Sequence, residues 1–213
     1  MSECFTNSLD HLLTELKRIE LKLYLQVMRS RQESSQAGED KFRGLYISEK
    51  EIDTIVGTLS LHQRDNSALA ALAESTNRLE AHIAEKKQES LRRGLILRLH
   101  ELERLFHLSV FDIDVLLVCI LPELDLKYQR LYAYLQDDVT KKSPTVDLVL
   151  RLLGESLEDR LTAREAFSPE APLIKNHLLR LYDELVPRTA PLLAKSLQID
   201  ERIASYLLGA DQI

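Results

Sequence analysis

Apolar positions recur every three or four residues along most of the chain. Leu9, Leu12, Leu13, Leu16, Ile19, Leu23 and Val27 form one stripe, and Leu21, Leu25 and Met28 widen it. This spacing predicts a helix from about Leu9 to Arg31 with Ser8 as its N-cap. So broad a stripe is suited to pack against more than one other helix. Residues 32–44 lose the period and read as a polar loop. Leu45-Tyr46-Ile47 is short, apolar and extended, and Ser48 with Glu51 has capping-box spacing that predicts a short helix over 49–57. From Asn66 to His107 runs one long helical pattern or two joined ones. Leu69, Leu72, Thr76, Leu79 and Ile83 sit at heptad positions, which Lys86 and Ser90 then break. About two and a half heptads are fewer than a coiled coil needs, so a helix packed antiparallel on the first is expected. Gly94 is placed to kink or divide it. Leu95, Leu99, Leu102, Leu105 and Phe106 continue a buried stripe.

The texture changes at Leu108-Ser109. Ser109, with Asp112 three residues on, caps an expected helix Val110–Leu121 that is apolar on nearly every side and is closed by Pro122. Asp125 opens a third element, Leu126–Gln136, with Leu124, Tyr128, Leu131 and Leu135 on one face. Residues 137–143 form a turn. Pro144 falls in the first turn of a helix Thr145–Leu153, which Gly154 stops. Short helices joined by tight turns are the arrangement of a helix-turn-helix bundle. Leu157–Phe167 is a further amphipathic helix, broken at Ser168-Pro169, with the pattern restarting at Pro172. Leu178–Tyr182 and Leu192–Ile199 flank a connection holding Pro187 and Pro191. They fit two strands of a small hairpin, although their leucines suit helix equally. Asp200 caps a last helix, Glu201–Leu208, ended by Gly209. The expected fold is mainly α: a helical hairpin or bundle over 1–107, then a winged-helix-like helical domain with a small β-hairpin over 108–213.

Composition agrees. Leucine takes 43 of the 213 positions, whereas glycine and proline take 6 each. Apolar residues at 45% and charged residues at 29% exclude collagen-like, mucin-like and disordered classes. Two cysteines, Cys4 and Cys119, cannot make a disulfide framework or a four-cysteine zinc site. The net charge of -6 is one-sided. Residues 1–100 carry 15 basic and 15 acidic side chains, and residues 101–213 carry 13 and 19. Nucleic-acid binding rests on basic side chains that displace phosphate counterions, so an acidic half is a poor platform for it. It suits a basic partner or solubility. The first residues lack a basic stretch followed by an apolar one, and Val115–Pro122 is far short of the roughly 20 residues that span a bilayer. A cytoplasmic protein with reduced thiols and no membrane contact is expected.

Few residues carry chemistry. The pattern G-x-x-x-x-G-K-[ST] is absent, so the chain is not expected to bind or hydrolyse nucleotide. His100 and His107 lie seven apart and cannot share a zinc ion unaided. Cys119 sits in the most apolar helix and reads as an inert thiol. Asp137-Asp138 belongs to a turn. No nucleophile–base arrangement shows itself, so no catalytic residue, metal or cofactor is expected. If Thr145–Leu153 is the third helix of a helix-turn-helix, Arg151 alone could pair with a guanine edge, Asp147 would repel phosphate, and Lys141 and Lys142 are too few for useful affinity.

The run from Phe111 to Val146, FDIDVLLVCILPELDLKYQRLYAYLQDDVTKKSPTV, resembles the N-terminal region of a group of bacterial AAA+ ATPases, some of which accompany contractile injection systems. Phe42–Ser48 and Pro191–Gly209 support the likeness. The resemblance implies a helical segment plus a winged-helix-like domain placed before an ATPase core. That core is not in this chain, which stops at Ile213, where the linker to it would begin. It further implies a non-catalytic domain that recruits a protein substrate or adaptor for a motor in the full-length parent. Asp125, Tyr128, Arg130, Tyr132 and Tyr134 are the candidate partner-binding patch, because Tyr and Arg join apolar area to polar reach. Tyr128 shares the Leu124/Leu131/Leu135 face and reads equally as core. Tyr132 and Tyr134, about 200° apart on a helix, cannot both lie there. The alternatives are a winged-helix DNA-binding regulator and a self-associating helical scaffold built on 9–107.

Overall fold

In the computed structural model, which describes residues 3–36, 52, 54, 55, 66–183 and 190–210, the first stripe forms helix α1, Ser8–Gln36. Asn7 caps it instead of Ser8: the Asn7 Oδ1 accepts from the Asp10 N–H at 2.8 Å, while the Ser8 hydroxyl accepts from the Arg98 N–H. Five residues expected in the polar loop, 32–36, continue the helix. The rest of that loop and Leu45–Ile47 lie outside the described residues. Of the short helix expected over 49–57, Ile52, Thr54 and Ile55 are helical, and Ile52 is fully buried.

Helix α2, Asn66–Arg92, packs antiparallel on α1. Phe5 N–H donates to Ser90 Oγ near one end, whereas Arg18 and Lys22 meet Glu80 farther along. Gly94 divides α2 from α3, Arg98–Phe106, because the chain passes it at φ +78, a conformation that only glycine adopts without strain.

Helix α4, Val110–Leu124, starts on the expected capping box, with Ser109 and Asp112 bonded reciprocally. Pro122 does not end it but lies in its last turn. Proline supplies no N–H to the carbonyl four residues back, Val118, and here the Tyr132 hydroxyl donates to that carbonyl at 2.6 Å. Tyr132 belongs to α5, Lys127–Leu135. The turn after α5 is held by one side chain: Gln136 Nε2 donates to the carbonyls of Tyr132, Lys141 and Ser143, and its Oε1 accepts from the Thr145 N–H.

Helix α6, Val146–Leu153, is capped by Thr145, so Pro144 precedes the cap instead of lying in the first turn. Helix α7, Leu157–Ala163, runs into a 3-10 turn, Arg164–Phe167, and a single turn α8, Pro172–Lys175, follows. Strands β1, Leu179–Tyr182, and β2, Ser196–Ile199, pair antiparallel with Leu179 opposite Ile199 and Tyr182 opposite Ser196. The expected hairpin is present with a shorter second strand, since Leu192–Ala194 is a 3-10 turn. Its tip, residues 184–189 with Pro187, lies outside the described residues. Asp200 caps α9, Glu201–Leu208. Among the described residues the architecture is thus mainly helical with one small sheet, as the pattern predicted.

One apolar core joins most elements. Leu16, Ile19, Leu23 and Tyr24 of α1 meet Leu116 and Ile120 of α4, Leu131 of α5, Val149 of α6, Leu197 of β2 and Leu207 of α9. Residues on both sides of position 107 therefore enter the same cluster. A smaller cluster of Phe5, Ile83 and Leu97 closes the end near the N-terminus.

Candidate protein-interaction surface

Helices α6 and α7 are joined by three residues, Gly154-Glu155-Ser156. A side chain at Gly154 would place its Cβ 2.7 Å from Arg160 Cγ and 2.9 Å from the Leu150 carbonyl, so the turn closes this tightly only on glycine. Ser156 and Asp159 then form a second capping box, whose Ser156 hydroxyl and N–H hold the Asp159 carboxyl below its usual range. Two helices on a glycine-containing turn of this length form a helix-turn-helix.

The order of the helices differs from the sequence expectation. Pro144 accepts from the Leu197 N–H, and Thr145 bridges Ser196. The chain just before α6 thus lies along β2 as a short third rail of the sheet. That makes α5 the first helix, α6 the second and α7 the third. Thr145–Leu153 cannot be the reading helix, since Val146, Leu148, Val149, Leu150 and Leu152 are all in the core. The Gly154 turn and the Ser156/Asp159 spacing were the signals in the sequence that marked α7.

The exposed face of α7 is apolar and acidic. Leu157 is 69% exposed and Leu161 62%, and no residue of α7 is buried. Between positions 155 and 170, Glu155, Glu158, Asp159, Glu165 and Glu170 stand against Arg160 and Arg164. A phosphate backbone approaching this helix would meet net negative charge.

The tyrosine-containing patch is split by the fold. Tyr128 and Tyr132 are buried, Tyr134 is half-buried, and Asp125 and Arg130 are exposed. Asp125 Oδ1 accepts from the Lys127 N–H and opens α5. Tyr128 faces α1, where Glu20 gathers four donors: Lys17 Nζ at 2.6 Å, Tyr24 OH at 2.6 Å, Tyr128 OH at 3.0 Å and Lys127 Nζ at 3.0 Å. Burial alone would raise the Glu20 carboxyl, but the hydrogen bonds from Lys17, Tyr24 and Lys127 outweigh it and pull it down to about 2. Burial, followed by the Glu20 charge, pushes the Tyr128 hydroxyl up. These two tyrosines fasten α5 to α1 and α4 and are not on the surface. Sequence spacing placed Tyr128 on an apolar face but gave no sign that a second helix covers the Tyr132 side.

Burial accounts for Cys119, and structural partners for His100 and Asp138. Burial pushes the Cys119 thiol up, away from the thiolate that a nucleophile needs. His100 Nδ1 lies 3.0 Å from Glu103 Oε2, and Lys87 Nζ donates to the same oxygen at 2.6 Å. Asp138 accepts from the Thr140 hydroxyl and N–H, which lower its carboxyl. Among the described residues no group of three or more His, Cys, Asp or Glu is placed to hold a metal ion, and no helix is long and apolar enough to cross a membrane.

Three helices, a glycine turn between the second and third, and an antiparallel hairpin with a third rail define a winged-helix domain. The chain belongs to the family described as winged helix domain, variant, whose model matches residues 1–213. No curated protein and no solved structure matches it.

Proposed function

We propose that this winged-helix domain is a non-catalytic recruiting module, which grips a protein substrate or adaptor on behalf of an AAA+ ATPase core in its full-length parent. The observation that carries the reading is the character of α7: the helix that a DNA-binding member would lay in the major groove presents two exposed leucines and a majority of carboxylates. Such a surface buries area against a protein and repels nucleic acid. The resemblance of residues 111–146 to the N-terminal region of AAA+ ATPases supplies the motor. Asp125, just before α5, and Arg130 are exposed and form part of the proposed protein contact, to which Tyr134, half-buried against the core, offers its outer part.

The test is a pair of binding measurements on the purified chain. A gel shift with duplex DNA at low salt is expected to show no complex, and co-purification with an AAA+ ATPase core or its substrate is expected to succeed. ATP turnover by the chain alone would overturn the proposal. A second reading, a winged-helix DNA-binding regulator, is favoured by the helix-turn-helix and the hairpin themselves. It requires DNA affinity that falls steeply with added salt. A flat low-salt gel shift removes it.

A further inference from the structure

We infer that Leu157 and Leu161 of α7 seat an amphipathic helix of a partner protein, with apolar anchors at helical spacing and lysine or arginine on its flanks. The inference rests on the recruiting reading and names the surface and the chemistry of its partner. The two leucines are four apart, hence neighbours on one face, and both are more than half exposed. The segment is anchored from its far end, where Phe167 packs edge-on against Phe111 with centroids 6.1 Å apart. The leucine pair therefore stands clear of the core on a fixed support.

Charge selects the partner. Glu155, Glu158 and Glu165 are exposed, and among the described residues they form no ion pair. Arg160 turns its guanidinium onto the Ser156 carbonyl at 3.3 Å. That contact leaves the Arg160 charge in place, so four carboxylates, Glu155, Glu158, Asp159 and Glu165, stand against two guanidiniums, Arg160 and Arg164, around the leucine pair. Several carboxylates elsewhere are matched by arginines of their own helices, as in Glu74–Arg78, Glu101–Arg104 and Asp147–Arg151. An apolar strip edged by unmatched carboxylates favours an apolar strip edged by cations. The same edge disfavours a nucleic-acid backbone and an anionic membrane surface.

The experiment titrates the isotopically labelled full chain with a synthetic peptide of about 18 residues, long enough for an amphipathic helix, carrying leucines at helical spacing between lysines. Two control peptides keep the leucines with glutamates, or the lysines with serines in place of leucine. The variant L157S/L161S changes surface positions only, and its amide spectrum verifies the fold. The leucine–lysine peptide is expected to shift amides of residues 155–167. Its affinity is expected to fall at least about ten-fold in L157S/L161S and for both control peptides. Equal binding by the double variant, equal binding of the leucine–glutamate peptide, or a concentration-dependent dimer that L157S/L161S abolishes would each overturn the inference. Failure of the peptide without any response to duplex DNA sinks this surface alone. Duplex DNA moving the α7 amides sinks the recruiting reading with it.

Discussion

Substituting Tyr132 by phenylalanine tests how the fold tolerates a proline inside its most buried helix. Pro122 withholds the N–H that the Val118 carbonyl would otherwise receive, and the Tyr132 hydroxyl takes its place at 2.6 Å. Val118 and Tyr132 are both fully buried, so no water can substitute for a lost donor. Phenylalanine keeps the ring and its packing while leaving that acceptor unmatched, which costs about 1–3 kcal/mol. For a chain of this length the midpoint of thermal unfolding is expected to fall by roughly 2–4 °C per kcal/mol. The sharper assay is a double-mutant cycle in urea with Pro122→Ala. Alanine restores a backbone donor at position 122, so Y132F is expected to cost about 1 kcal/mol less in the P122A background than in the parent. A Y132F loss below about 0.3 kcal/mol, inside the usual error of such cycles, would refute the reasoning, and so would an equal loss in both backgrounds.

Three further outcomes are expected. Glu20 titrates at about 2 in the folded chain against its usual 4.5, so below pH 4.5 the unfolded state binds more protons. Stability held above that pH is then lost on acidification towards pH 2, by about 3 kcal/mol at most; E20Q should flatten this part of the stability–pH curve, as read by chemical denaturation. Arg18→Met leaves the buried Glu15 and Asp114 carboxylates without their shared cation and should cost about 3–5 kcal/mol, with much of the loss recovered in R18M/D114L. Gly154→Ala forces a methyl against the Leu150 carbonyl and the Arg160 side chain and should cost about 1–3 kcal/mol in thermal unfolding.

What was legible in the sequence follows from where local chemistry is self-sufficient. Helix ends that carry their own caps were read correctly, as at Ser109, Gly154 and Asp200. The end of α1 was not, because residues 32–36 are polar all round and extend the helix without leaving an apolar period. Pro122 was read as a terminator because the donor that replaces its N–H comes from another helix, at a sequence distance no local rule reaches. The third helix was misplaced by one element, since an isolated bridge between Thr145 and Ser196 has no sequence signature. The candidate surface suffered the same way. Leu157 and Leu161 match an amphipathic stripe, and periodicity reports which residues share a face without reporting whether that face is covered.

The buried polar residues of α1 carry a role that leucines cannot. A leucine stripe fits its neighbours almost as well when slid by one helical turn, since the same residue type returns every three or four positions. Arg18 removes that freedom. Its Nε donates to Glu15 at 2.7 Å within α1, and its Nη1 donates to Asp114 of α4 at 3.0 Å, with all three side chains buried. Two residues on, Glu20 accepts from Tyr128 and Lys127 of α5. A shift of one turn would part Arg18 from Asp114 and Glu20 from Tyr128 and Lys127, while the pairs inside α1, Arg18 with Glu15 and Glu20 with Lys17 and Tyr24, would move together. Each buried charge left with fewer partners costs stability. The two clusters thus set the register of α1 against α4 and α5 at separate points, and α5 carries on through Gln136 and Thr145 into α6 and the Gly154 turn. The orientation of α7 is therefore fixed through a chain of polar contacts that starts on α1. Together with the packing of Phe167 on Phe111, these buried polar residues help to set where the leucine pair points.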